Sequence, residues 1–482
     1  MRGVMLKSPK QNANLPFILA CVIILSAGAV FFTNLHKSGL HPLDDAFYAQ
    51  KAKEILKTGD MWVMRYDGRP NYHNPPAHMW IMALAYKAFG VSEFSARFSS
   101  ALFMLMLMAA LYALSLLMFK DGWAAFFAVF AAATTNFFTR FAVRGMLDIT
   151  LVFFQVMSIY FFIYGMEKKK TWPYAAAGIF LGLCVLTKSL LGAYPAVVML
   201  AYLFVTKKFR LIFSLKAALY VFSAAAVAFP WFALNYASGG QAFIASHFGE
   251  ILSDSISGFD GKKLSLSVYY IKALFTYGLP WMPVAIAGSV ALAYERMKKR
   301  GNSYYTFIVI WAWLIVIMLS FTARIKYWYI MPSIPAGMLI AGAAMAKWVK
   351  NPVKIAGVLT AIYLLAAAVI VTLPVKITSG RYDAVKEMAP AIRQVKPAGA
   401  PIINYGLDFW RIQNQLIFYA DRNATLPVTG ADAVFERMKK TGETCIAREE
   451  VFNMDFKKYY RYTDVIAKKG GMVLFRAAAE NR

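Results

Sequence analysis

The chain has 482 residues, of which 59% are hydrophobic and only 16% charged. Apolar runs of about 18 residues or more recur as far as residue 374, and runs of that length cross a bilayer as helices, which excludes a soluble enzyme. The formal charge of +27 belongs with cationic loops at anionic lipid headgroups and not with a nucleic-acid partner.

The first apolar run, about Leu15 to Phe32, follows a basic leader (Arg2, Lys7, Lys10) and lacks a small-x-small cleavage site. It reads as a retained signal-anchor helix. A long loop, 34–96, comes next. In it His41-Pro-Leu-Asp-Asp-Ala-Phe-Tyr-Ala-Gln50 leads into an amphipathic helical stretch, Lys51 to Leu56. Gly59-Asp60-Met-Trp62 and Asn71-Tyr-His-Asn-Pro-Pro-Ala-His78 follow. The segment 78–90 is apolar but too short to cross, so an interfacial or re-entrant piece is expected. About ten further spans are predicted, at 97–119, 123–139, 149–166, 173–187, 190–206, 211–231, 269–293, 304–321, 328–346 and 355–374. This makes a polytopic α-helical membrane protein of about eleven transmembrane helices over residues 1–375. Residues 376–482 differ in texture. Strands are predicted at 401–405 and 471–475 and a short amphipathic helix at 431–440, so a small soluble α/β domain is expected.

Loop charges orient the spans. With the N-terminus cytoplasmic, the inside segments carry 17 Lys or Arg against three acids, as the positive-inside rule requires. The loops 34–96, 140–148, 235–268 and 322–327 and the C-terminal domain then face outward. The three cysteines, Cys21, Cys184 and Cys445, have no CxxC spacing and support neither a thiolate metal site nor a disulfide framework.

The residues that look chemical all fall on that outer side. Asp44 and Asp45 are adjacent in the first loop. Helix capping would account for Asp44, but not for two aspartates followed by a histidine-bearing loop. His73 and His78 flank a stiff Pro-Pro pair, and two imidazoles near carboxylates are candidate ligands of a divalent metal. Arg140, Arg144 and Asp148 surround the start of the fourth span. Lys188 interrupts an otherwise apolar double span. Arg324, Lys326 and Tyr329 precede Met331-Pro332. Any one cation at a span end has a plain alternative in snorkelling to the headgroups. Several clusters converging on one face mark a site. Cations there suit a lipid phosphate, a neighbouring carboxylate takes a proton from an attacking hydroxyl, and the cations offset charge on a departing phosphate. Group transfer from a lipid phosphate carrier to an acceptor outside the cytoplasm is the reading these residues support. A transporter or flippase of a lipid-linked sugar is the alternative. It would call for charge along a translocation path and for inverted repeats, which are not visible.

The run Asp44-Asp-Ala-Phe-Tyr-Ala-Gln-Lys-Ala-Lys-Glu-Ile-Leu56 with Gly59-Asp60 resembles the first-loop signature of polyprenyl-phosphate sugar transferases. These are the glycosyltransferase family 39 group with the C-type membrane fold, comprising the aminoarabinose transferases of lipid A and the protein mannosyltransferases. Tyr72-His-Asn-Pro-Pro-Ala-His-Met-Trp80 is similar to that family's Pro-Pro-x-His-x-Trp motif. Phe89-Gly90, Ser92 to Arg97, Leu147-Asp148, Leu186-Thr-Lys188, Pro230-Trp231 and Lys326 to Pro332 follow in the right order. The resemblance implies inverting transfer of a sugar from an undecaprenyl-type phosphate carrier in a bacterial inner membrane. The acceptor would be lipid A, another glycolipid, a polysaccharide or a protein. It further implies that Asp44 is the carboxylate nearest the reacting centre, that Asp148 is a second acidic residue of the active site, and that Lys188 and Lys326 contact phosphate. Three departures stand out: the usual Asp-Glu pair is Asp44-Asp45 here, the Glu-Lys pair before Pro-Pro is His73-Asn74, and the chain is shorter after residue 375. They leave the donor sugar open.

Overall fold

The structure, a computed structural model, describes residues 14–249, 263–298, 302–320, 326–373, 383–395 and 399–478. The expected site residue Arg324 lies outside the described residues.

The chain opens with α1 (Leu15–Asn34), a long apolar helix. The first loop then builds α2 (Asp44–Thr58), a short hairpin of β1 (Arg65–Tyr66) and β2 (Arg69–Pro70), and α3 (Ala77–Phe89). Gly59, at φ +73, closes α2 with its N–H on Ile55 O, a left-handed cap that glycine adopts without steric cost. The helix α3 is the predicted short apolar segment and ends at Gly90, at φ +76.

The bundle continues through α4 (Glu93–Phe119), α5 (Gly122–Thr134), α6 (Asn136–Ala142), α7 (Asp148–Lys168), α8 (Trp172–Gly192), α9 (Tyr194–Val205) and α10 (Leu215–Ile244). It is completed by α11 (Lys263–Gly278), α12 (Trp281–Met297), α13 (Tyr305–Leu319), α14 (Ile334–Trp348) and α15 (Pro352–Thr372). A 3₁₀ turn, Tyr327–Ser333, leads into α14. Seven of the described helical segments are long and apolar enough to cross a membrane, or nine if each of two bent pairs counts as one span. The bent pairs are α5–α6, at 60°, and α11–α12, at 117°. The helices α9 and α13 are apolar but shorter. Each of the eleven predicted spans thus falls on an apolar helical segment, while the count of full crossings by length is seven to nine. This is a multi-pass membrane protein. Large apolar side chains on the outside of α10 and α15, such as Phe222 and Leu365, are 72% and 69% exposed, which is the face that lipid covers.

Two glycines set the packing of α8. A side chain at Gly178 would begin 2.2 Å from Tyr220 O and one at Gly182 would begin 2.7 Å from Ala224 O. The backbones of α8 and α10 therefore touch along a small-xxx-small face, the arrangement that lets membrane helices approach closely. Further along, α8 breaks: Lys188 (φ −151°, ψ 47°) and Ser189 (φ 35°, ψ −114°) are not helical. This is the position at which the sequence interrupts its double apolar span with a lysine.

The C-terminal region holds α16 (Asp383–Gln394), β3 (Ile403–Asn404), α17 (Phe409–Ala420), α18 (Ala431–Thr441), β4 (Thr444–Arg448), α19 (Glu449–Asp455), β5 (Thr463–Lys469) and β6 (Met472–Ala477). The sheet order is β3-β4-β6-β5, with β3 parallel to β4 and the other pairs antiparallel. One set of its apolar residues (Ile403, Phe435, Phe452, Phe475) forms a local core. A second set joins the first loop: Met388, Ile392, Leu416 and Phe418 pack with Tyr48, Ile55, Met79 and Tyr86.

Polar contacts fix that junction. Tyr419 Oη accepts from Leu40 N at 2.7 Å and donates to Glu93 Oε1 at 3.0 Å. Asn414 donates to Pro42 O at 3.0 Å and Gln415 to Leu40 O at 2.9 Å. From the bundle side, the buried guanidinium of Arg97 donates to Leu35 O, Ser38 O and Gly39 O at 2.8, 2.7 and 2.7 Å. The stretch 35–43 is thereby held from two sides, and the next residue is Asp44.

Candidate active site

Asp44 and Asp45 begin α2, with Leu43 in the N-cap position and no side-chain capping bond. Asp44 is therefore not spent on capping. Its side chain lies on the wall of a pocket of about 160 Å³, together with Tyr48 of the same helix, His73 and Asn74 of the first loop, Lys188 and Ser189 of the α8 break, and Lys326, Trp328 and Tyr329. Five expected site residues (Asp44, His73, Lys188, Lys326 and Tyr329), scattered over nearly 290 positions of sequence, meet here. Burial is the main cause that raises the Asp44 carboxyl above its ordinary range. The charge of Asp148 adds to it, while Lys188 and Lys326 pull the other way.

The remaining expected residues stand behind the wall. Asp148 is the first residue of α7 and is buried. Its Oδ1 receives Lys188 Nζ at 2.7 Å, and the same ammonium lies 4.8 Å above the Tyr329 ring. Asp45, fully buried, faces Arg144 Nε at 3.4 Å. Asp45 and Arg144, expected as substrate contacts, are thus an internal ion pair outside the pocket lining. Arg140 lies 5.6 Å from the Tyr277 ring, which is stacked on Tyr327 at 4.2 Å, also off the lining. Lys326 reaches the pocket and lies 5.3 Å from the Trp328 ring.

The two expected metal ligands have separate surroundings. His73 is on the pocket wall. His78 is buried within α3, its Nδ1 2.9 Å from Thr150 Oγ1, and burial lowers it to about 4. Among the described residues no three His, Cys, Asp or Glu side chains form a metal-holding group. The residues present do not make one ligand set of His73 and His78.

Some groups were not singled out from sequence. His247 donates through Nδ1 to Tyr72 O at 2.6 Å, so its Nε2 accepts from Ser189 Oγ at 2.7 Å. It braces the break in α8 from behind. His41, just before the aspartates, is pushed down to about 4 by burial and then by Arg144. Lys51 is fully buried, donates to Asn71 Oδ1 at 3.0 Å, and is brought down to about 7 by desolvation. A buried lysine on the inner face of an otherwise regular amphipathic helix is a signal that sequence reading had available.

The pocket thus offers one carboxylate with a raised affinity for protons beside two ammonium groups and three aromatic rings. Such a wall can pair an anionic group with its cations next to a proton acceptor.

A family model for dolichyl-phosphate-mannose-protein mannosyltransferases matches residues 73–234. The crystal structure of ArnT from Cupriavidus metallidurans bound to undecaprenyl phosphate superposes with a TM-score of 0.76 over 98% of this chain and 99% of that one, at 20% identity. The chain shares the fold of that protein. Among curated proteins, an uncharacterized protein of Aquifex aeolicus is 26% identical over 74% of this chain and 68% of its own length. The second undecaprenyl phosphate-α-4-amino-4-deoxy-L-arabinose arabinosyl transferase of Proteus mirabilis is 25% identical over 70% of this chain. The match spans 62% of that transferase, less than two thirds of its length.

Proposed function

We propose that the chain transfers a sugar, with inversion, from a polyprenyl phosphate to an acceptor on the outer side of a bacterial cytoplasmic membrane. The observation that carries this is the pocket in which the Asp44 carboxylate stands beside Lys188 and Lys326. In this reading an acceptor hydroxyl attacks the anomeric carbon and the new C–O bond forms on the face opposite the leaving group. The bond from that carbon to the phosphate oxygen breaks, and the polyprenyl phosphate departs with the electron pair. The hydroxyl proton passes to Asp44, whose raised proton affinity makes it a stronger base than an ordinary carboxylate. Lys188 and Lys326 offset the charge gathering on the phosphate. Asp148 acts through Lys188, holding the ammonium over Tyr329 and at the pocket.

The loop charges support an outward pocket and an outward C-terminal region from residue 376. Undecaprenyl phosphate in the ArnT structure supports a carrier of that class. Lipid A, another glycolipid, a polysaccharide and a protein all present hydroxyl or phosphate nucleophiles to such a pocket. The departure at His73-Asn74 argues against assuming aminoarabinose as the donor sugar.

The test is purified protein in detergent with a radiolabelled polyprenyl-phosphate sugar and a lipid extract. Wild type is expected to release polyprenyl phosphate. Asp44→Asn is expected to abolish release with the protein still folded, and normal turnover by that variant sinks the assignment.

A further inference from the structure

Ser189 stands at φ 35° and ψ −114° in the break of α8, a backbone region that residues with a side chain enter only at a cost. Glycine would sit there freely. The serine is part of the wall of the Asp44 pocket, next to Lys188, and its hydroxyl is engaged on the far side. Ser189 Oγ lies 2.7 Å from His247 Nε2. His247 Nδ1 gives its proton to Tyr72 O at 2.6 Å, so Nε2 is left as an acceptor and the serine proton points to it.

His247 is firmly placed. Trp231, Asn235, Gly239 and Phe243 of α10 and His247 just beyond it recur at intervals of four, and each meets the first loop. Trp231 Nε1 and Asn235 Nδ2 donate to Trp62 O at 2.9 and 3.2 Å. A Cβ at Gly239 would begin 2.5 Å from Tyr72 Oη, and the Phe243 ring stands edge-on to Tyr72 at 5.3 Å. The imidazole is buried and stacks on Phe243 at 5.4 Å, with 16° between the planes. The Ser189 hydroxyl therefore cannot turn its proton into the pocket without breaking a bond to a fixed partner. What it offers the pocket is its oxygen lone pairs.

The wall is thus divided by chemistry. Lys188 and Lys326 donate and suit phosphate oxygens. Ser189, an acceptor, repels such an oxygen and takes a donor instead. A hydroxyl is the donor that a lipid-linked sugar brings. We propose that Ser189, oriented by His247, accepts a hydrogen bond from one hydroxyl of the donor sugar and so helps select which sugar is transferred. The inference rests on the sugar-transfer reading and adds to it a residue that reads the sugar. It also accounts for a strained serine where glycine would be free.

The experiment is equilibrium binding to the full chain in lipid nanodiscs. The probes are undecaprenyl phosphate alone and undecaprenyl phosphate linked to glucose, to mannose and to 4-amino-4-deoxyarabinose. For the sugar-bearing probe that binds most tightly, analogues lacking each hydroxyl in turn are measured as well. Wild type is expected to bind that probe at least threefold more tightly than one of its deoxy analogues. In Ser189→Ala the difference between probe and analogue is expected to vanish, with undecaprenyl phosphate itself bound as before, since one partner of the bond is gone from each side of the cycle. A wild type that binds no sugar-bearing probe more tightly than undecaprenyl phosphate, or a deoxy penalty that is the same in Ser189→Ala, overturns the proposal. If the alanine variant folds poorly, Ser189→Gly deletes the same hydroxyl and relieves the positive φ; it is expected to lose the discrimination too, and a glycine variant that keeps it overturns the proposal equally. His247→Phe keeps the ring packing without the acceptor and is expected to weaken the sugar-bearing probe. His247→Gln, which still offers a carbonyl and an N–H, is expected to recover part of the loss. Wild-type binding by His247→Phe overturns the orienting role. In turnover, Ser189→Ala is expected to raise the donor KM by a larger factor than it lowers kcat; a loss confined to kcat would place Ser189 in bond making and overturn the proposal. The two readings fail separately. Asp44-dependent release of polyprenyl phosphate without discrimination through Ser189 sinks only the role of Ser189, whereas discrimination without release sinks the transfer reading.

Discussion

Lys188 Nζ lies 2.7 Å from Asp148 Oδ1 at the point where α8 stops being helical. The break is what makes the contact useful. A lysine inside a regular apolar helix would have to reach along the helix surface to find water or a partner. With Lys188 and Ser189 out of helical conformation, the ammonium is presented to the pocket while Asp148 holds it from behind. The pair is buried, and burying two charges is tolerated when each keeps its partner.

The first prediction concerns pH. Asp44 works as a base only when ionised, and its carboxyl is held above the ordinary range by burial and by Asp148. Activity, measured as kcat/KM, is therefore expected to fall as pH drops through that raised value. Lys188→Met removes a cation that favours the ionised form, and it also leaves the Asp148 charge unopposed. Both effects move the acid limb to higher pH. Asp148→Asn removes repulsion and leaves Lys188 unpaired, so the limb moves to lower pH. A pH–rate profile that shifts the opposite way in either variant contradicts Asp44 as the base.

The two adjacent aspartates are expected to separate by experiment. Asp45 is fully buried against Arg144, and its carboxylate oxygens have no hydrogen-bond donor among the described residues. Asp45→Asn leaves the Arg144 guanidinium buried without its counter-charge, a change that costs about 3 kcal/mol or more. A marked drop in unfolding temperature is expected. Asp44 stands on the pocket wall and caps nothing, so Asp44→Asn is expected to change stability by less than about 1 kcal/mol while abolishing turnover. Thermal unfolding and activity measured on the same preparations check both. Equal destabilisation by the two variants would remove the distinction.

Much of this site was legible in the sequence because ionisable groups at the ends of apolar spans are expensive and therefore conspicuous. Asp44, Lys188 and Lys326 were selected on that ground and share one pocket. What the same reasoning cannot separate is a group on the wall from a group behind it. Asp45 and Arg144 carry the same signal as Asp44 and Lys326, yet they neutralise each other inside the protein. His247 and Ser189 gave no signal. A serine in an apolar run and a lone histidine after Gly239-Gly240 acquire meaning only when the break in α8 faces the turn after α10. In the C-terminal region the predicted helix at 431–440 carries amphipathic periodicity and the strand at 471–475 a continuous apolar run. The strands β4 and β5 were missed because Thr444–Arg448 is short and Thr463–Lys469 is polar. Both owe their conformation to pairing with β6.

Arg97 is expected to control the site without touching it. Its guanidinium serves three carbonyls of the segment before Asp44. Arg97→Met leaves those carbonyls buried and unpaired, at a cost of about 3 kcal/mol. Arg97→Lys keeps the charge but cannot reach three carbonyls from one planar fork. We expect kcat to fall at least tenfold in Arg97→Met, with partial rescue in Arg97→Lys, at unchanged affinity for undecaprenyl phosphate. Full activity in Arg97→Met would show that the segment 35–43 holds its place through the C-terminal contacts alone.

The last prediction tests whether helix packing places Lys188. A methyl group at Gly178 would sit 2.2 Å from Tyr220 O and 3.0 Å from Ser223 Cβ. The first of these neighbours is backbone and cannot swing aside, so α8 and α10 must separate. Overpacking of this kind costs about 1–3 kcal/mol, and separation also displaces the end of α8 where Lys188 and Ser189 meet the pocket. Gly178→Ala is expected to lower the unfolding temperature and to reduce turnover together. Gly357→Ala on α15 is the control, because nothing lies within 4 Å of its new methyl group and alanine is the better helix former. That variant is expected to be at least as stable as wild type and fully active. Loss of stability in Gly178→Ala with undiminished turnover would show that the break at Lys188 is held by His247 and Asp148 and does not depend on the α8–α10 contact.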